Sequence, residues 1–222
     1  MSDKLQNIIR KYALEDGLTV DAKTILSFGS ESNCAFLYSF YYLDRLSDTF
    51  VVEEKHRLPA QRAEKCEGYR HQSDKKACLL SYLFLIEGLR ERYGIAGDPT
   101  FIYNEHGKPY LRDTPGIFFN FSHSGNTVAC ALANFEIGLD IQEIRKLNMG
   151  VAHRVCSENE LQQLKDSDNA RRLFCNFWTK KESYAKAMGV GVPGLFKQDI
   201  PADRFFSWEG ESFCMTIACN LP

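Results

Sequence analysis

Apolar residues recur at helical spacing in three stretches of the chain. Leu5, Ile8, Ile9 and Tyr12 predict a short amphipathic helix over 3–14 that Gly17 ends. It reads as part of an N-terminal extension, residues 1–33. Ala77, Leu80, Leu83 and Ile86, with Leu79, Tyr82 and Leu89, predict a helix over 75–93, capped by Ser73 and apolar nearly all round. Such a helix belongs in the middle of a lobe. The third stretch, 170–188, repeats Leu173, Phe174, Phe177, Trp178, Ala185 and Met188, so that one face is core. On or beside that stripe Trp178, Glu182 and Lys186 follow at steps of four, an acid and a base one turn apart.

Elsewhere the pattern shortens to that of strands. Residues 34–43 are aromatic and apolar without a breaker and read as a buried strand; 101–103 and 108–111 read as a hairpin around Asn104 to Gly107. Phe119 and Phe121 alternate with Asn120 and Ser122, giving a half-buried strand that ends at Ser124-Gly125-Asn126. The small apolar run 127–133 and the strand 137–141 read as the next hairpin, with Asp140 and Gln142 on one face and Glu143 on the other. Ser157 and Glu160 form a capping box before a short helix, and 205–208 with 213–219 close the chain as a hairpin. Helices with strands on both sides of a midpoint near Thr114 predict an α+β protein of two lobes, 34–114 and 115–222.

At 222 residues and 44% hydrophobic content the chain buries a sizeable core. A net charge of -2 argues against a nucleic-acid binder, and no apolar run approaches the ~20 residues that span a bilayer. The N-terminus, charged from its third residue, lacks the apolar core of a signal peptide. The eight cysteines contain no CxxC pair and sit in apolar or amphipathic runs, which predicts reduced, buried thiols and a cytoplasmic protein.

Three polar clusters interrupt otherwise apolar elements: 120–124 with Ser122 and His123, 138–142 with Asp140 and Gln142, and 178–186 with Lys181, Glu182 and Lys186. Each alone has a structural explanation, such as a satisfied histidine, a strand-end carboxylate or a surface ion pair. Together they suit a phosphate and metal site, because two carboxylates supply hard oxygen ligands to magnesium while lysines and a histidine neutralise the remaining phosphate charge. A Ser-His-Asp hydrolase triad is disfavoured, since neighbours on a strand point apart and no G-x-S-x-G elbow is present.

FNFSHSG at 119–125, IGLDIQ at 137–142 and WTKKESYAKAMG at 178–189 resemble the three signature motifs of the 4'-phosphopantetheinyl transferases of the surfactin-synthetase-activating type, in its W-x-x-KES variant. The resemblance covers about residues 34–220. It implies the fold of that family, two similar α/β lobes related by a pseudo-two-fold axis, with coenzyme A between them. The implied reaction moves phosphopantetheine from coenzyme A to a serine of an acyl or peptidyl carrier protein, with Mg2+ (or Mn2+) as cofactor and the chain acting as a monomer. By motif, Asp140 and Glu182 are the implied metal ligands and Glu182 the base. Lys186, with Lys181 as a second contact, meets the diphosphate. Ser122 and His123 hold the 3'-phosphate, joined by Arg62 and Lys65 from the first lobe, and Lys108 lines the cleft.

Two departures stand out. Gln142 replaces the third carboxylate of many relatives, leaving an amide oxygen or a bond to metal-held water. Ala77 replaces a common arginine, with Lys75 and Lys76 as nearby substitutes. The rival reading is a non-catalytic coenzyme A or carrier-protein binding module.

Overall fold

The computed structural model describes residues 3–25 and 34–220; residues 26–33 of the expected extension lie outside it. The elements are, in order, α1 (Asp3–Tyr12), β1 (Asp21–Ile25), β2 (Ala35–Phe40), α2 (Thr49–Glu54), α3 (Ala60–Gly68), α4 (Gln72–Tyr93), β3 (Phe101–Tyr103), β4 (Pro109–Leu111), β5 (Phe118–Ser124), β6 (Thr127–Ala133), β7 (Glu136–Glu143), α5 (Met149–Val155), α6 (Glu158–Asp166), α7 (Ala170–Met188), β8 (Phe205–Glu209) and β9 (Phe213–Asn220). The fold is mixed α+β. No described helix is long and apolar enough to cross a membrane.

Four strands form one sheet in the order β1-β2-β6-β5, and three form another in the order β7-β9-β8. Alternation along β2, β6 and β5 sends Tyr38, Phe40, Cys130, Leu132 and Phe119 to the α4 side, where they join Leu79, Tyr82 and Phe84 in one core. The opposite face, carrying Leu37, Ala129 and Ala131, packs on Ile137, Leu139 and Ile141 of β7 and Met215 and Ile217 of β9. The far side of that second sheet receives α7.

Several expectations change. Residues 3–25 are no appendage: Leu5, Ile9 and Tyr12 are buried in the α4 core and β1 pairs with β2. The helix α4 starts at Gln72 with His71 as its N-cap, ahead of Ser73. The predicted β6–β7 hairpin does not form. Both hydrogen-bonding edges of β6 are already taken, by β2 and β5, so β7 pairs with β9 instead. One sheet therefore runs across the expected division at residues 114–115.

The face that α7 turns to its sheet also differs from the large apolar stripe. It is a row of small residues at steps of four, Cys175, Thr179, Ser183 and Ala187, all buried, whereas Trp178 is half-buried and Met188 is 41% exposed. Thr179 and Thr216 join their hydroxyls across the contact at 2.9 Å. The larger residues Leu173, Phe174 and Phe177 pack instead on α5 and α6 residues such as Ala152 and Leu164. Capping of α6 is as expected, with Ser157 and Glu160 each bonding the other's backbone amide.

Candidate functional site

The site lies where the edge strands of the two sheets meet. The outer amides of β7 have no strand beside them and need acceptors, since a buried N–H left unpaired costs about 1–3 kcal/mol. The polar face of β5 supplies them: Asn120 Oδ1 accepts from Leu139 N at 2.9 Å, Ser122 Oγ from Ile141 N at 3.0 Å, and Ser124 Oγ from Glu143 N at 3.0 Å. Alternation of polar residues in NFSHS is thus a side-chain stitch between two sheets. The same Ser122 hydroxyl donates to Asp140 Oδ1 at 3.3 Å, which fixes that carboxylate.

On its other side β7 faces α7 at very short range. A Cβ at Gly138 would stand 1.9 Å from the Ser183 carbonyl oxygen and 2.4 Å from the Ala187 nitrogen, so glycine is required there for the backbones to approach. Close approach brings the α7 side chains over Asp140, two residues further along the same strand face. Lys186 Nζ then lies 2.6 Å from Asp140 Oδ1 and 3.0 Å from the Leu139 carbonyl oxygen. Asp140 Oδ2 is buried without a hydrogen-bond partner in a residue only 3% exposed.

Two adjoining cavities, of about 540 and about 360 Å³, open at this seam and share Arg62, Lys65, Phe121 and Lys186 as walls. The smaller also takes in Ser122, His123, Asp140, Gln142 and Glu182; the larger takes in Lys108 and Asn120. Arg62, from α3, lays its guanidinium 4.6 Å from the Phe121 ring centre. His123 Nε2 is 3.5 Å from Asp74 Oδ1 at the start of α4. Glu143, on the opposite face of β7, lines a different hollow, as alternation requires.

Burial sets the electrostatics. It pushes the Asp140 carboxyl above its ordinary value in spite of Lys186 and Ser122. Glu182 is raised for the same reason, with the Asp140 charge adding to the effect and Lys186 opposing it. Burial lowers His123, with Lys186 and Lys65 reinforcing the shift and Asp74 working against it. Glu182 has no hydrogen bond or ion pair among the described residues. A cleft with an orphaned buried carboxylate oxygen beside a second unpartnered carboxylate fits a divalent cation, because a cation removes both penalties at once. Among the described residues no group of three or more His, Cys, Asp or Glu side chains gathers as a metal site; the carboxylate and amide side chains that line the smaller cavity are Asp140, Glu182 and Gln142.

A family model described as the 4'-phosphopantetheinyl transferase superfamily matches residues 136–217, the span from β7 to β9 that contains Asp140 and all of α7. The chain is 34% identical over 171 residues to the 4'-phosphopantetheinyl transferase ffp of Bacillus subtilis, across 74% of this chain and 72% of the relative. It belongs to the 4'-phosphopantetheinyl transferase superfamily. Over the same shares it is 33% identical to the transferase Sfp of Bacillus subtilis strain 168, and over 40% of its length it is 40% identical to 38% of the transferase gsp of Aneurinibacillus migulanus.

Of the residues singled out in this transferase's sequence, Lys181 is not at the cleft. One residue along a helix is about 100° of rotation from Glu182, and it carries the Lys181 ammonium to the far side, 3.0 Å from Glu160 and 2.5 Å from the Gln198 carbonyl oxygen, at 1% exposure. The expected second diphosphate contact is therefore a structural ion pair. Lys108 does line the cleft, but its ammonium is held by Glu136 and, at 3.0 Å, by the Ala187 carbonyl. Neither substitute for the absent arginine reaches the smaller cavity: Lys76 bonds Asp48 and the Leu46 carbonyl, and Lys75 lines another hollow. Gly138, Asn120 and Ser124 escaped the reading of the sequence as site-building residues. A glycine inside an apolar strand and the alternating polar face were the signals available.

Proposed function

We propose that this transferase moves the 4'-phosphopantetheine group of coenzyme A to a serine hydroxyl of an acyl or peptidyl carrier protein, releasing adenosine 3',5'-bisphosphate. The observation that carries the reading is the convergence of Asp140, Glu182, Lys186, His123 and Arg62 on one cleft, with Asp140 Oδ2 buried and unpartnered. Asp140 and Glu182 would hold Mg2+ or Mn2+, with Gln142 giving a neutral oxygen or a bond to metal-held water. When bound, the ion draws charge from the diphosphate under attack.

The chain's own groups do the rest. Lys186, which reaches both cavities, binds the diphosphate, while Arg62, Lys65 and His123 gather around the 3'-phosphate. Ser122 serves that pocket by holding Asp140 in place. The serine oxygen forms the new phosphorus–oxygen bond as the bond to the adenosine 5'-phosphate breaks. Glu182 takes the serine proton, directly or through water.

We further read the two sheets, each backed by a long helix, as pseudo-symmetric halves meeting at the β5–β7 seam. Both walls of the cleft come from one chain, which supports a monomer. Eight free thiols support a reducing, cytoplasmic setting. The deciding experiment is the mass of an apo carrier protein incubated with the enzyme, coenzyme A and Mg2+. A gain of one phosphopantetheine group, lost on chelation, is expected. An unchanged carrier mass, with coenzyme A still bound, makes the chain a binding module instead.

A further inference from the structure

Two thiols meet on the wall of the same cleft. Cys66 on α3 and Cys78 on α4 face each other where the two helices pack, with the Cys66 thiol 3.6 Å from the Lys75 carbonyl oxygen. Arg62 places Nη2 3.7 Å from the Cys78 sulfur and 3.2 Å from the Cys78 carbonyl oxygen. Cys78 is 4% exposed, and what it does expose lines the smaller cavity, with His123 and Glu182. Cys66 lies behind it on a separate hollow of about 150 Å³.

The arginine is the unusual member. It is nine-tenths buried, has no carboxylate partner among the described residues, and keeps Nε without a hydrogen bond. A buried cation needs a counter-charge, and the atom nearest to providing one is the Cys78 sulfur. The titratable and charged groups facing that sulfur are Arg62, Lys65 and Cys66 on α3, Tyr69 after it, and His123, Lys186, Asp140 and Glu182 across the cavity, the last two opposing a thiolate. The neighbouring Cys66 thiol, followed by the charges of Arg62 and Lys65, holds the Cys78 thiol below its ordinary value against the opposing effect of burial. Cys66 is raised in turn.

We propose that Cys78 is a thiol-exchange site in the donor cleft, with Cys66 as its resolving partner, and that its ligand is the disulfide of a small thiol. The Cys78 thiolate attacks one sulfur of that disulfide, forming a mixed disulfide and expelling one small thiolate. Cys66, giving up its proton to solvent, then attacks the Cys78 sulfur and expels the second. Two protein thiols are oxidised, one small disulfide is reduced to two thiols, and the product is a Cys66–Cys78 disulfide. The inference rests on the cleft being the donor's: coenzyme A held with its 3'-phosphate at Arg62, Lys65 and His123 would cover the wall on which Cys78 lies, so exchange with a small disulfide and donor binding compete. Closing the bond removes the thiolate that faces Arg62 and ties α3 to α4.

The test treats the full chain with dithiodipyridine and follows thiopyridone release and the modified peptides. Wild type should release two thiopyridones from this pair and yield a Cys66–Cys78 cross-link, whereas Cys66→Ala should release one and keep a mixed disulfide on Cys78. From pH 8.5 to pH 6 the rate at Cys78 should fall much less than the roughly 160-fold of a free small-molecule thiol of ordinary pKa run alongside. Transfer activity of the Cys66→Ala adduct should be lost and return with dithiothreitol. Reaction at Cys34 before Cys78, or no cross-link in wild type, overturns the proposal. Coenzyme A should slow the reaction at Cys78. If Cys78 reacts as described but coenzyme A does not slow it, the exchange site stands and the donor placement falls.

Discussion

The closest backbone contact at the site makes a quantitative prediction. In Gly138→Ala the new Cβ would stand 1.9 Å from the Ser183 carbonyl oxygen, whereas such contacts do not fall below 3.0 Å, so β7 and α7 must separate by about 1.1 Å. Neither partner is a flexible side-chain end; both obstructing atoms are helix backbone, and the second, Ala187 N at 2.4 Å, prevents a simple slide along the axis. Overpacking of this kind costs about 1–3 kcal/mol of stability. Lys186 and Glu182 ride on α7 while Asp140 rides on β7, so the same separation stretches the 2.6 Å contact between Lys186 and Asp140 and parts the two carboxylates. A displacement of about 1 Å at a reacting centre costs roughly a hundredfold in rate. Two assays read the two effects: denaturant unfolding for stability, and the initial rate of carrier modification by mass under conditions where the variant is folded. Full transfer with an unchanged unfolding midpoint would refute the claim that this glycine sets the distance between the helix and the strand.

Other outcomes follow from the same geometry. Glu182→Gln and Asp140→Asn should each fold and lose transfer by orders of magnitude, and Mg2+ should raise the thermal midpoint of wild type but not of Asp140→Asn; a thermal scan with and without the ion checks this. Lys181→Met should cost about 1–3 kcal/mol in urea unfolding, because the Gln198 carbonyl and the half-buried Glu160 lose their buried donor, while the KM for coenzyme A of the folded fraction stays unchanged. His123 is held below its ordinary 6.5 by burial, so as pH falls through 6.5 the unfolded chain takes up the proton and the folded chain resists it. Stability contributed by neutral His123 is thus present above 6.5 and lost as pH falls toward the lower folded value. The effect is small because the side chain is 32% exposed, and it should appear as a flatter midpoint-versus-pH curve in His123→Gln.

Local pattern was enough to place most helices and strands and to pick out the chemistry. Period and capping signals lie within a few residues of one another, as with Ser157 and Glu160. The three polar clusters stood out because a polar run inside an apolar element needs a reason, and alternation alone put Asp140 and Gln142 on one face and Glu143 on the other.

What needed the folded chain was every question of distance between elements. Which strand takes the free edge of β7 depends on β6 being already paired on both sides, a fact spread over residues 35 to 220. The small-residue row of α7 has weak hydrophobic periodicity, so the larger stripe drew attention, yet small side chains and Gly138 are what allow helix and strand to touch. Lys181 and Lys186 look alike in a motif. Rotation about the helix axis sends one to Glu160 and the other to Asp140, and only the packing of α7 between α6 and β7 decides which of them meets the cleft.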